Sequence, residues 1–102
     1  GGGSKSSAIC QILSNVTGLP VKCIQTHEAC GLGSSMVAFV AKGEFKDYDE
    51  ATKSMVQIRR TFEPDMATHE IYMKIYRHVY SKMYKRLEPI YKKLRRKVLP
   101  KI

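Results

Sequence analysis

Apolar positions recur at helical spacing almost from the first residue. Ile9, Ile12, Leu13 and Val16 fall at i, i+3, i+4 and i+7 and share one face. Ser6 or Ser7 offers an N-cap hydroxyl, so a helix is predicted to start near Ser6; Gly18 stops it and Pro20 confirms the break. Val21 to about Gln25 is β-branched at two positions and free of breakers, which predicts a short strand. A second helix is predicted from about His27 to Lys42, with Thr26 as its cap and Gly43 just past its end. No charge occurs from Ala29 to Ala41, so this helix is expected to be buried, and Gly31, Gly33, Ser34 and Ser35 would let another backbone approach closely. A third helix is predicted from about Glu50 to Arg60, capped by Asp47 or Asp49, with Ala51, Met55 and Ile58 facing inward.

Phe62-Glu63-Pro64-Asp65 predicts a turn before a last helix from near Ala67 to about Leu94. Tyr72, Tyr76, Tyr80 and Tyr84 recur every four residues beside Ile71, Ile75, Val79 and Met83, a wide stripe expected to face a core. Pro89 is expected to kink or interrupt this helix. The inventory holds four helices and one clear strand. A lone strand leaves its N–H and C=O groups unpaired, so the helix–strand–helix order implies the tail of an α/β domain whose other strands lie elsewhere. The chain is therefore expected to be a piece of a larger protein.

Charge changes this picture in one place. Residues 1–70 carry seven Lys/Arg and eight Asp/Glu, whereas residues 71–102 carry eleven Lys/Arg and only Glu88, so the net +9 belongs to the last third. With 102 residues the chain is at most one domain, and 43% hydrophobic content rules out wholesale disorder. Three cysteines, Cys10, Cys23 and Cys30, include no Cys-x-x-Cys pair and argue against a disulfide scaffold, which favours a reducing cytoplasm. No apolar run approaches the ~20 residues that span a bilayer.

The candidate chemistry sits at the start. Gly1-Gly2-Gly3-Ser4-Lys5-Ser6 leads straight into the first helix, and three glycines leave bare main chain beside a helix N-terminus, where a flat base or an anion can rest. Glycine also permits the positive φ expected of such a loop. A P-loop is excluded because Ser4 stands where that pattern needs Gly before Lys5. Cys23, His27 and Cys30 have ligand-like spacing but lack a fourth ligand nearby, and ordinary packing is the better reading. His27-Glu28 lacks the second His of a zinc protease motif, and Glu28 fits a favourable place at a helix start.

Read together, the glycine stretch and Gln11-Ile12-Leu13-Ser14-Asn15-Val16-Thr17-Gly18-Leu19-Pro20-Val21 resemble the C-terminal domain of the FGGY carbohydrate kinases. Glu28-Ala29-Cys30-Gly31-Leu32-Gly33-Ser34-Ser35-Met36 is similar to a second stretch of that signature. Phe62-Glu63-Pro64 and the Tyr-rich helix resemble the xylulose-kinase-like members. The likeness covers roughly residues 1–94. It departs at Ser7-Ala8-Ile9, at Asn15 where Asp is common, and at Ser34-Ser35 where alanines are common.

The resemblance implies an α/β fold, the C-terminal part of an RNase H-like (actin-like ATPase) domain, mostly helical here with few strands. Residues 1–94 would be part of the nucleotide-binding domain and residues 95–102 a basic tail. By the same resemblance Gly1, Gly2 and Gly3 would lie against adenine or ribose, and Ser6 would turn its side chain to the nucleotide. ATP with Mg²⁺ would be the cofactors of the whole enzyme, and a sugar such as the ketopentose xylulose its acceptor. That sugar would be held by an N-terminal domain not contained in these residues, together with the catalytic Asp. This chain would supply no catalytic residue and would be inactive alone. Neither a nucleic acid nor a membrane is an expected partner, whereas self-association through uncovered faces is. The rival reading is a small basic module that places residues 71–102 on nucleic acid or another anionic surface.

Overall fold

The strand at Val21–Ile24 (β1) finds its neighbour inside the chain. In the computed structural model, which describes residues 1–99, Ile58–Phe62 (β2) pairs with it antiparallel, with Val21 opposite Phe62, Lys22 opposite Thr61 and Cys23 opposite Arg60. A bulge between Cys23 and Ile24 shifts the register so that Ile24 faces Ile58. This corrects two expectations. Residues 58–60 are strand, not the end of the third helix, and β1 does not depend on a distant strand for its partner. The helix in question (α3, Tyr48–Met55) stops early because Val56 is extended at φ −104° and ψ 125°. Gln25 then fixes the crossing: its side chain donates to the Met55 carbonyl at 2.6 Å and accepts from the Gln57 N–H at 2.9 Å.

The first helix (α1, Ser7–Thr17) starts and ends as its sequence dictates. Ser6 Oγ accepts from the Ile9 N–H, and Gly18 adopts the left-handed conformation at φ 68°. Ser14 is fully buried, its hydroxyl within 2.8 Å of the Leu19 carbonyl and 2.9 Å of the Phe62 carbonyl, which ties α1 to the loop before β1 and to the end of β2. The fourth helix (α4, Met66–Ile75) docks on the same C-terminal end of α1. There the His69 ring lies 2.9 Å from the Asn15 carbonyl and packs where a side chain on Gly18 would sit. Asn15 Oδ1 accepts from Gln11 and from the Asp65 N–H, and Gln11 also donates to the Glu63 carbonyl. Asp65 caps α4, and its hydrogen bond with Thr68 holds its carboxyl below the usual value.

The second helix (α2, Ala29–Lys42) packs against α3 and buries Ala51 of that partner. Gly43 closes it at φ 86°, with Phe39 and Phe45 edge to face beyond the end. Contrary to expectation no residue of α2 is buried. The tyrosine stripe is likewise uncovered: Tyr76, Tyr80 and Tyr84 are 52, 66 and 71% exposed. The chain's accessible surface, 8514 Å², exceeds the roughly 5,800 Å² of a folded monomer this size, because α2 and the last helix do not return to the body.

That last helix begins near Met66 as α4, widens into a π segment at Tyr76–Tyr80 where two tyrosine rings stack, and continues as α5, Ser81–Lys97. The irregularity falls at the tyrosines and not at Pro89, which α5 passes without a break. The missing N–H of Pro89 orphans only the exposed Lys85 carbonyl, which water can satisfy. The boundary expected after residue 94 falls inside α5, and residues 100–102 of the expected tail lie outside the described residues. The described residues contain no helix long and apolar enough to cross a membrane.

Candidate functional site

Gly2–Lys5 wind into one 3₁₀ turn ahead of α1. Ser4 holds that turn closed. Its hydroxyl donates to the Gly1 carbonyl at 2.6 Å, and its oxygen lies 3.0 Å from His27 Nδ1. With its hydroxyl proton on the Gly1 carbonyl, Ser4 Oγ is left with lone pairs that can accept from an Nδ1–H of His27. His27 thereby joins the segment before α2 to the glycine turn, a contact that no local sequence signal announces.

None of the three glycines is there for its backbone angle. Positive φ occurs only at Gly18 and Gly43 among the described residues, so the expectation of a positive-φ loop is corrected. None is there for internal packing either, since a Cβ added to Gly1, Gly2 or Gly3 would meet nothing within 4 Å. The turn is bare toward open space.

That space includes a cavity of about 520 Å³ between the turn, α1 and β1. Its walls are Gly1, Gly3 and Ser4 from the turn, Ile9, Cys10 and Leu13 from α1, Val21, Lys22, Cys23 and Ile24 from β1, and Thr26 and Ala29 beyond. The lining is mostly apolar, the hydroxyls of Ser4 and Thr26 add polar groups, and Lys22 brings a positive charge. A pocket of this volume with a few convergent polar groups suits a small planar ligand. Of the four residues singled out in the sequence, Gly1 and Gly3 line the cavity. Gly2 and Ser6 do not: the Ser6 oxygen is engaged as the N-cap of α1, 3.3 Å from the Ile9 nitrogen. The lining has no carboxylate, and the described residues contain no cluster of three His, Cys, Asp or Glu fit to hold a metal ion, the Cys23, His27 and Cys30 spacing included.

Two thiols meet under the turn. Cys10 Sγ lies 3.7 Å from Cys23 Sγ and 3.8 Å from the Ser4 carbonyl oxygen. Burial pushes the Cys10 thiol above its ordinary value and the contact with Cys23 adds to this, while the Arg60 charge pulls the other way. A second cavity of about 510 Å³, lined by Val16 and by Tyr72, Met73, Ile75, Tyr76 and Tyr80, is almost wholly apolar and carries no charged group.

Known proteins resemble this chain in sequence and in fold. Residues 1–42 match the FGGY family of carbohydrate kinases, C-terminal domain. An autoinducer-2 kinase of Escherichia coli (strain K12) is 42% identical over 72 residues, covering 71% of this chain and 14% of the relative. One from Klebsiella pneumoniae subsp. pneumoniae is 37% identical over 75 residues, covering 74% and 14%. The crystal structure of ligand bound xylulose kinase from Lactobacillus acidophilus superposes with a TM-score of 0.70 at 20% identity, over 82% of this chain and 17% of that one. The chain thus spans about one seventh of the curated relatives it matches, and the structural likeness gives the fold, that of the C-terminal part of an actin-like ATPase domain. Residues 1–42 thus carry the C-terminal domain signature of the FGGY family of carbohydrate kinases.

Proposed function

We propose that this chain contributes the adenosine-binding part of an ATP-dependent carbohydrate kinase, a protein that moves the γ-phosphoryl group of ATP to a sugar hydroxyl. The observation that carries the reading is the bare glycine turn. Of three glycines that neither φ nor internal packing demands, Gly1 and Gly3 line a cavity of nucleoside size. A purine can stack against main chain at Gly1 and Gly3, with Ile9, Leu13 and Val21 along its edges and the ribose near Ser4 and Thr26. Gly2 and Ser6 act through the turn: Gly2 keeps its outer surface flat and Ser6 fixes the start of α1, whose N-terminus carries partial positive charge.

The residues fit adenosine. They do not fit Mg²⁺, because no carboxylate faces the cavity, and an ion accompanying ATP would rest on the phosphates and on groups outside these residues. The catalytic base and the sugar pocket would likewise lie outside this chain, which is inactive by itself. The named relatives act on different molecules, an autoinducer and xylulose, and a ketopentose such as xylulose is the acceptor we propose. Residues 1–94 would serve as the domain portion and 95–102 as a basic tail, in a cytoplasmic protein with no nucleic-acid or membrane partner. The open faces of α2 and α5 favour self-association of the isolated chain.

The test exploits the empty space before the turn. Gly3→Val in the full-length protein should leave thermal unfolding unchanged, because its side chain meets nothing internal, and should weaken ATP binding in calorimetry by roughly tenfold or more. Equal ATP affinity in the two proteins refutes the reading.

A further inference from the structure

We propose that Cys10 and Cys23 are a peroxide-oxidisable dithiol, and that the disulfide they form closes the cavity beneath the glycine turn. The two sulfurs already touch at 3.7 Å. They are carried by elements joined through β2: β1 is laddered to it, and the Ser14 hydroxyl of α1 lies within hydrogen-bond distance of its Phe62 carbonyl. The contact is therefore built into the fold. The two thiols also differ in access. Both line the cavity, but Cys23 is half-buried, whereas Cys10 is only 4% exposed and burial favours its protonated form. Such asymmetry suits a sulfur that meets the oxidant first and a second that resolves it. Cys30, exposed on α2, has no sulfur contact among the described residues.

The oxidant is a hydroperoxide, hydrogen peroxide in the simplest case. The Cys23 thiolate attacks one peroxide oxygen, the O–O bond breaks, and the departing oxygen leaves as water, giving a sulfenic acid. The Cys10 sulfur then attacks the Cys23 sulfur, the S–O bond breaks, and the hydroxide leaves as water with the Cys10 proton. Two thiols lose two electrons and two hydrogens, and one peroxide becomes two waters. The sulfurs draw together from 3.7 Å to about 2.05 Å, which pulls α1 toward β1 across the cavity. The S–H that lies 3.8 Å from the Ser4 carbonyl is lost as well, so the turn loses a support where the nucleotide would sit.

The gating half of this proposal rests on the nucleotide reading above, and the chemical half does not. Full-length protein is treated with hydrogen peroxide, its free thiols are alkylated, and its peptides are mapped by mass. A Cys10–Cys23 cross-link that forms equally in Cys30→Ser is expected; alkylated Cys10 together with an over-oxidised or alkylated Cys23 overturns the dithiol. ATP affinity is then compared before and after oxidation and after dithiothreitol. A fall of roughly tenfold that dithiothreitol reverses, and that is absent in Cys10→Ser whatever the starting affinity of that variant, is expected. An unchanged affinity in a cross-linked protein that binds ATP when reduced overturns the gating. If the reduced protein binds no ATP, the nucleotide reading and the gating fail together, and the cross-link stands on the mass map alone.

Discussion

The region around α1 and the region beyond Tyr76 are held together in opposite ways. Around α1, side chains reach main chain far away in sequence: Ser14 to the Phe62 carbonyl, Gln11 to the Glu63 carbonyl, Asn15 to the Asp65 N–H, and the His69 ring to the Asn15 carbonyl. Beyond Tyr76 the side-chain hydrogen bonds, ion pairs and ring contacts among the described residues are local, such as the Glu88–Lys92 pair one turn apart at 2.7 Å and the Tyr76–Tyr80 stack. Both regions are helical and both expose apolar residues. What separates them is that α1 satisfies the backbone of its neighbours, whereas α5 satisfies only its own. Position in the first region depends on tertiary contacts. In the second, propensity and i,i+4 pairs carry the helix.

The largest break should come at Gly18. Its φ of 68° and the His69 ring 2.8 Å from an added Cβ make Gly18→Ala destabilising by about 3 kcal/mol, from left-handed strain plus loss of the His69 bond, readable in urea unfolding of the full-length protein. Ser14→Ala should follow at about 2 kcal/mol, because the hydroxyl that is fully buried between the Leu19 and Phe62 carbonyls, and donates to one of them at a time, is lost. Asp47→Ala removes the N-cap bond to Glu50 and should cost about 1 kcal/mol, with α3 fraying in amide exchange. On the other side of the comparison, Glu88→Gln should change stability by under about 0.5 kcal/mol, since the pair is solvent-exposed. A loss from Glu88→Gln as large as that from Ser14→Ala would erase the distinction between the regions.

Asp65 sharpens it through pH. The Thr68 hydroxyl, with support from the Ala67 and Thr68 N–H groups, holds the folded carboxyl below its ordinary 3.8. The contribution of that group to stability is full above the unfolded value and is lost as pH falls through the lower folded one. Carboxyl titration by NMR should show a midpoint below 3.8 that rises in Thr68→Val.

Much of α1 was legible because its instructions are local: an apolar face, a Ser before it, a Gly after it. The same holds for the ends of α2 at Gly43 and of α3 at Asp47. The strand at 58–62 was not legible, because Ile58 continues the spacing of Ala51 and Met55 and only the unpaired edge of β1 makes extension preferable there. Nor was the Ser4–His27 contact, which joins positions 23 residues apart that share no pattern. Of the candidate site, the sequence offered the glycines and the structure supplied the walls.

By itself the sequence determined where α1 starts and stops, that positive charge gathers after residue 70, and that a glycine-rich segment precedes α1, since each depends on neighbours along the chain. Tertiary structure alone decided that β1 pairs with β2, that the glycines need no special φ, and that Cys10 meets Cys23. Those outcomes are set by which backbone groups find partners across space, and residue order records such pairings only indirectly.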